Sequence, residues 1–275
     1  MSLAHDMLAR AIRASAPYWA AEYAIVFHYF TNGVRTPQRD IGWITLQMFK
    51  EWTGSGVYGK RGVTVNNLIK RAASQIDQID AGEAIGDLDA ISGLLQFAID
   101  EFNHFSLLCK AFLKLDPDGR MSIEQMGDLP EGRRLVELRH AWRDRPNGDL
   151  IVELTEGGGL GMYFAVGDAF AHSTQRSDVD ELIVRFAQAT VADEIQHMAG
   201  RFQRALEADL SREDWEQVDA GLQDQFAQKL RERNQQFGSA FSDEALEHMG
   251  ADAGAGRAYL RRNLGFLGER LGIPV

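Results

Sequence analysis

The sequence predicts an all-α protein, and three observations predict it. Apolar residues recur with the 3.6-residue helical period along most of the chain, no convincing run alternates apolar and polar as a half-buried strand does, and only six of 275 residues are proline. Hydrophobic residues make up 45% and charged residues 25%, which is the profile of a chain that buries a core.

The elements follow in order. A first helical stretch covers about 4–35; Pro17 either kinks it or restarts it behind Ser15 as a cap, and Pro37 and Asp40 end it. The less regular segment 41–86 holds a short apolar helix around Trp43 to Trp52, the glycine-rich turn TGSGVYGKRG and an amphipathic helix over about 63–80. That turn lacks the spacing and the preceding strand of a phosphate loop. A second long helix, about 87–115, breaks at LDPDGRMSIEQM. Read as a calcium loop, this string puts Lys114 and Gln125 where acidic ligands belong, so it is a polar turn. An arginine-rich helix follows over about 131–143. PNGD, from Pro146 to Asp149, opens a third long helix ending near Ala171, and HSTQRSD links it to a fourth over about 179–210. Two helices, near 212–237 and 243–271, close the chain.

A formal charge of −11 and an isoelectric point near 5.1 argue against nucleic-acid or anionic-membrane partners, because phosphates would be repelled. The single cysteine, Cys109, excludes a disulfide framework and a four-cysteine iron site within the chain, and it points to a reducing compartment. The first residues lack a signal-peptide core and no uncharged apolar run reaches membrane-spanning length, so the expectation is a cytoplasmic protein.

Chemistry is carried by a duplicated motif. DEFNH (Asp100 to His104) and DEIQH (Asp193 to His197) each sit in the middle of a long apolar-periodic helix. Glu101 and His104, like Glu194 and His197, are three residues apart and share a helical face, so carboxylate and imidazole can reach one ion. A metal also removes the cost of placing a charged Glu inside a bundle. Asp100 and Asp193, four residues before each histidine, suit an outer role: accepting the free imidazole N–H and fixing the tautomer that binds metal. Composition alone yields roughly 0.04 copies of D-E-x-x-H in a chain like this, so two copies are not readily accidental.

Paired ExxH helices plus one Glu from each of two further helices resemble the ferritin-like di-iron carboxylate proteins. The aspartate version is similar to their oxygen-activating branch, which includes monooxygenase hydroxylases, the ribonucleotide reductase small subunit and arylamine N-oxygenases. The resemblance covers the four long helices. It implies one ferritin-like four-helix bundle over 1–275, with a helical insertion at about 37–86 and a C-terminal helical extension at about 211–275.

Such a site needs a Glu on helices one and three. In an antiparallel hairpin, residues equidistant from the link lie at one height, which places the partner of Glu194 near position 155. Glu156 is the choice, with Glu153 in reserve; Gly157, Gly158 and Gly159 beside Glu156 leave space near the metal, or serve only close packing or a local break. On helix one the candidate is Glu22, the lone carboxylate between Asp6 and Asp40, set among aromatic and aliphatic residues. Glu51 is its rival, set aside because it borders the glycine-rich turn.

The resemblance implies two iron ions, with Mn/Fe or two manganese ions also compatible with the ligand set. It implies an O2-activating oxidase or oxygenase acting on a small organic substrate, supplied with electrons by a separate protein or by the substrate. The alternative is iron handling: ferroxidase, storage or peroxide scavenging. Neither a nucleic-acid nor a membrane partner is expected, and a homodimer is compatible with the sequence.

Overall fold

The computed structural model describes residues 2–53, 65–80, 88–119, 129–156, 160–171, 173, 175–251 and 256–275. Among them are eleven α-helices and no strand: α1 (Leu3–Thr31), α2 (Pro37–Thr53), α3 (Val65–Asp80), α4 (Leu88–Leu115), α5 (Pro130–Arg143), α6 (Gly148–Glu156), α7 (Gly161–Phe170), α8 (Asp178–Glu207), α9 (Arg212–Gln236), α10 (Asp243–Ala251) and α11 (Gly256–Leu271). The all-α expectation holds, and no helix among the described residues is long and apolar enough to cross a membrane. The chain forms two compact units.

The first unit comprises Met1–Asp40, Asp128–Arg176 and Ala187–Val275. Its axis is α1, capped by the Ser2 side chain, which accepts from the His5 N–H. Pro17 lies inside α1 without ending it. Leu8, Ile12, Trp19, Ile25 and Val26 of this helix are fully buried, and α7, α9, α10 and α11 pack around it. Close approach depends on glycine. A Cβ on Gly161 would stand 2.8 Å from the Trp19 carbonyl oxygen, so α7 touches the α1 backbone only where that side chain is missing. Against α5 and α6 packs α9, whose start is fixed by a reciprocal capping box between Ser211 and Asp214.

The second unit comprises Ile41–Gly127 and Ser177–Phe186. Here α3 lays Val65, Leu68 and Ala72 into the core and packs on α4. Trp52 of α2 meets Phe105 of α4 at 4.8 Å between ring centres. The first turns of α8 add buried Ile183, Val184 and Phe186, and Lys114 holds Asp178 at 2.7 Å.

Three differences from the sequence reading have physical causes. Pro37 begins α2, its fixed φ suiting the first turn of a helix as well as the end of one. The third long helix is two, α6 and α7, on either side of three glycines whose helical propensity is poor. The last expected helix is likewise two, α10 and α11, flanking the glycine-containing stretch 252–255. The glycine-rich turn at 54–62, residues 120–126 of the broken calcium-like string and glycines 157–159 lie outside the described residues.

Candidate metal centre

Helix α4 presents Glu101 and His104 on the side opposite its exposed face, as three-residue spacing requires. His104 is 1% exposed, and its ring meets Phe186 edge-on at 6.3 Å. The last turn of α2 delivers Glu51, which is 7% exposed. One carboxylate oxygen of Glu51 lies 3.5 Å from His104 Nδ1, and the other accepts a 2.6 Å hydrogen bond from Gln47 Nε2. One ligand atom from each of Glu51, Glu101 and His104 falls within 4.8 Å of the others.

Two acidic side chains and an imidazole, with Glu51 and His104 buried and Glu101 half-buried, fit a divalent cation. Two neighbouring carboxylates repel each other in low dielectric, and a carboxylate in the last turn of a helix also opposes the helix dipole. A cation among them removes both costs. Gln47, one turn before Glu51 on the same helix, holds the carboxylate in place, as an outer residue does for a ligand.

The second motif lies in the first unit. Glu194 Oε1 is 3.3 Å from His197 Nδ1, so this Glu–His pair also shares a face of α8. Its other oxygen is 3.3 Å from Arg201 Nη1, which supplies a countercharge from the same helix. Of the flanking aspartates, Asp100 accepts a 2.7 Å hydrogen bond from Gln96 and is half-buried, as is Asp193.

Glu22 is buried, 2% exposed, as its apolar neighbours suggested, yet its partners are cations. Arg233 Nε donates to it at 3.0 Å and Lys229 Nζ stands at 3.7 Å, both from α9. Burial pushes the Lys229 ammonium below its ordinary range while the Glu22 charge opposes that shift. Glu153 is bound by Arg204 at 2.9 Å and is partly exposed. Glu156 closes α6, and its side chain lies outside the described residues.

Sequence reasoning set Glu51 aside. The signal that finds it is the buried face of α2: Ile44, Met48 and Glu51 fall at i, i+4 and i+7, so the carboxylate continues an apolar stripe into the interior. Comparison of the chain with family profiles, curated proteins and solved structures finds no match.

Proposed function

We propose that the chain is a metal-dependent oxidoreductase of the di-iron, O2-activating kind, built on a ferritin-like four-helix bundle and acting on a small organic substrate. The observation that carries the reading is the convergence of Glu51 with Glu101 and His104 in the second unit, with Glu51 and His104 buried and Glu101 half-buried. Glu51 takes the place that sequence reasoning gave to Glu22, whose charge is met by Arg233 and Lys229. The second ion is assigned to Glu194 and His197 on the duplicated motif, with Glu156, and Glu153 in reserve, added on the hairpin argument.

Bound ferrous ions would supply electrons to O2; manganese in one or both positions suits the same oxygen and nitrogen donors. The chain's own part is to hold carboxylates and imidazoles in fixed places, to keep Glu51 oriented through Gln47, and to limit water around His104. Electrons come from the substrate or from a separate donor protein.

Elemental analysis after anaerobic Fe(II) loading is the direct test, and it should give two ions per chain. Glu51→Ala should remove close to one ion and leave the circular dichroism unchanged. Parent protein that never exceeds one ion would end the two-ion reading. A Glu51→Ala protein with the full complement would end the role of Glu51.

A further inference from the structure

The carboxylates of Glu51 and Glu194 are divided in the same way. Each sets one oxygen toward a histidine: Glu51 Oε2 is 3.5 Å from His104 Nδ1, and Glu194 Oε1 is 3.3 Å from His197 Nδ1. Each gives its other oxygen to a nitrogen donor on its own helix. For Glu51 the donor is Gln47 Nε2 at 2.6 Å, and for Glu194 it is Arg201 Nη1 at 3.3 Å. A carboxylate held by one oxygen offers the other, so each donor fixes which oxygen is turned to the imidazole. The two donors differ in charge. Gln47 is a neutral amide, whereas Arg201 carries a guanidinium that proteins do not deprotonate.

The helix itself places that cation. Glu194, His197 and Arg201 follow at i, i+3 and i+7 of α8, so all three lie on one stripe. Long helical side chains lean toward the N-terminus, and Arg201 reaches back past His197 to meet Glu194. The side chains of Glu194 and Arg201 are only 17 and 14% exposed. Water screens such a pair less than one on the open surface, so their charges act strongly at this range.

A guanidinium and a metal ion want the same carboxylate. Without an ion, Arg201 neutralises Glu194 and lets a half-buried acid stand in the fold. With an ion shared between Glu194 and His197, Arg201 is left facing a like charge across one carboxylate, and it cannot shed a proton to relieve this. Either the pair is broken or cation stands near cation, and both weaken the hold on the ion. At such separations repulsion between whole charges outweighs the single hydrogen bond that Arg201 donates.

We infer that Arg201 is a positioning residue that sets the affinity of the second ion: it turns one oxygen of Glu194 toward His197 and, through its charge, weakens the binding of the ion held there. The inference rests on the assignment of an ion to Glu194 and His197, and the experiment separates the two.

Mn(II) binding by equilibrium dialysis, with elemental analysis for the count, is measured on the full chain and its variants. The parent should take two ions. Arg201→Gln keeps an amide donor but removes the charge, so one of the two ions should bind about tenfold tighter or more while the other is unchanged. Arg201→Lys keeps the charge and should stay within about threefold of the parent. Adding His197→Ala to Arg201→Gln should abolish the tightened ion. Loss of a residue that only supported the fold would loosen the ions or leave them alone, so tightening is specific to the charge, and circular dichroism shows that each variant is folded. A parent with two ions beside an Arg201→Gln protein that binds neither more tightly would overturn the role of Arg201 and leave the metal reading standing. Equal tightening in Arg201→Lys would overturn it as well, as would a tightened ion that survives the loss of His197. A parent that never takes more than one ion would remove the second site and this inference with it.

Discussion

A carboxylate buried among apolar side chains has to be neutralised, and Glu22 and Glu51 show two routes. Glu22 sits opposite Arg233 and Lys229, which reach it from the α9 helix more than two hundred residues later. Glu51 faces a histidine and a second carboxylate in a group that could hold a metal ion. The first arrangement meets a buried carboxylate with cationic side chains; the second sets two carboxylates beside an imidazole, a donor set that suits a metal cation. Glu22→Gln should therefore act on stability. Removing one partner of a buried pair strands the other, a loss of about 3–5 kcal/mol. Chemical denaturation should show a lowered midpoint, and metal content should match the parent. A Glu22→Gln protein that stays as stable but loses an ion would instead make Glu22 a ligand.

Between elements, the fold is governed by where helices approach closely. Gly161 lets α7 lie against α1 at Trp19 and Tyr23, and just beyond it Tyr23 donates a 2.9 Å hydrogen bond to Asp168, which also binds Arg262 of α11. In Gly161→Ala the new methyl would meet backbone atoms, which cannot swing aside as the end of a side chain can. Overpacking of this kind costs about 1–3 kcal/mol. Thermal unfolding should fall accordingly, and Gly167→Ala, where a Cβ meets nothing within 4 Å, should leave it unchanged or raise it. Equal stabilities for the two variants would remove the close contact as an organising feature.

These examples mark how far the sequence could be read. Helices were legible from periodicity, and the ends of α3, α4 and α5 fell within a few residues of expectation, because amphipathic faces and breakers are local. Both Glu–His pairs were legible because three-residue spacing is local as well. The partners of Glu22 and Glu51 were not, since each comes from a distant helix and depends on tertiary packing. The division of the third helix was legible only as an alternative, a local break weighed against space beside a metal and close packing.

For the molecule as a whole, the tyrosines offer a readout of the folded state. Tyr23, Tyr29 and Tyr259 all have phenol groups pushed above the ordinary value, chiefly because burial disfavours the phenolate. Asp168 reinforces the shift at Tyr23 through charge and a hydrogen bond, as Asp40 does at Tyr29, and the Glu22 charge does so at Tyr259. An unfolded chain releases these protons near pH 10, the ordinary tyrosine range, while the folded chain keeps them to higher pH. Above about pH 10 the native state thus binds more protons than the unfolded state, and stability must fall as pH rises. Below that value both states are protonated, and the contribution is present in full. The melting temperature should therefore drop steeply above about pH 10, and the phenolate absorbance of these residues should appear together with unfolding. Tyr29→Phe keeps the ring contacts to Phe30 and Phe237 but has no phenol to ionise, so its alkaline slope should be shallower than the parent's. Phenolate absorbance that develops fully near pH 10 in a protein still folded by circular dichroism would show that these hydroxyls reach solvent freely.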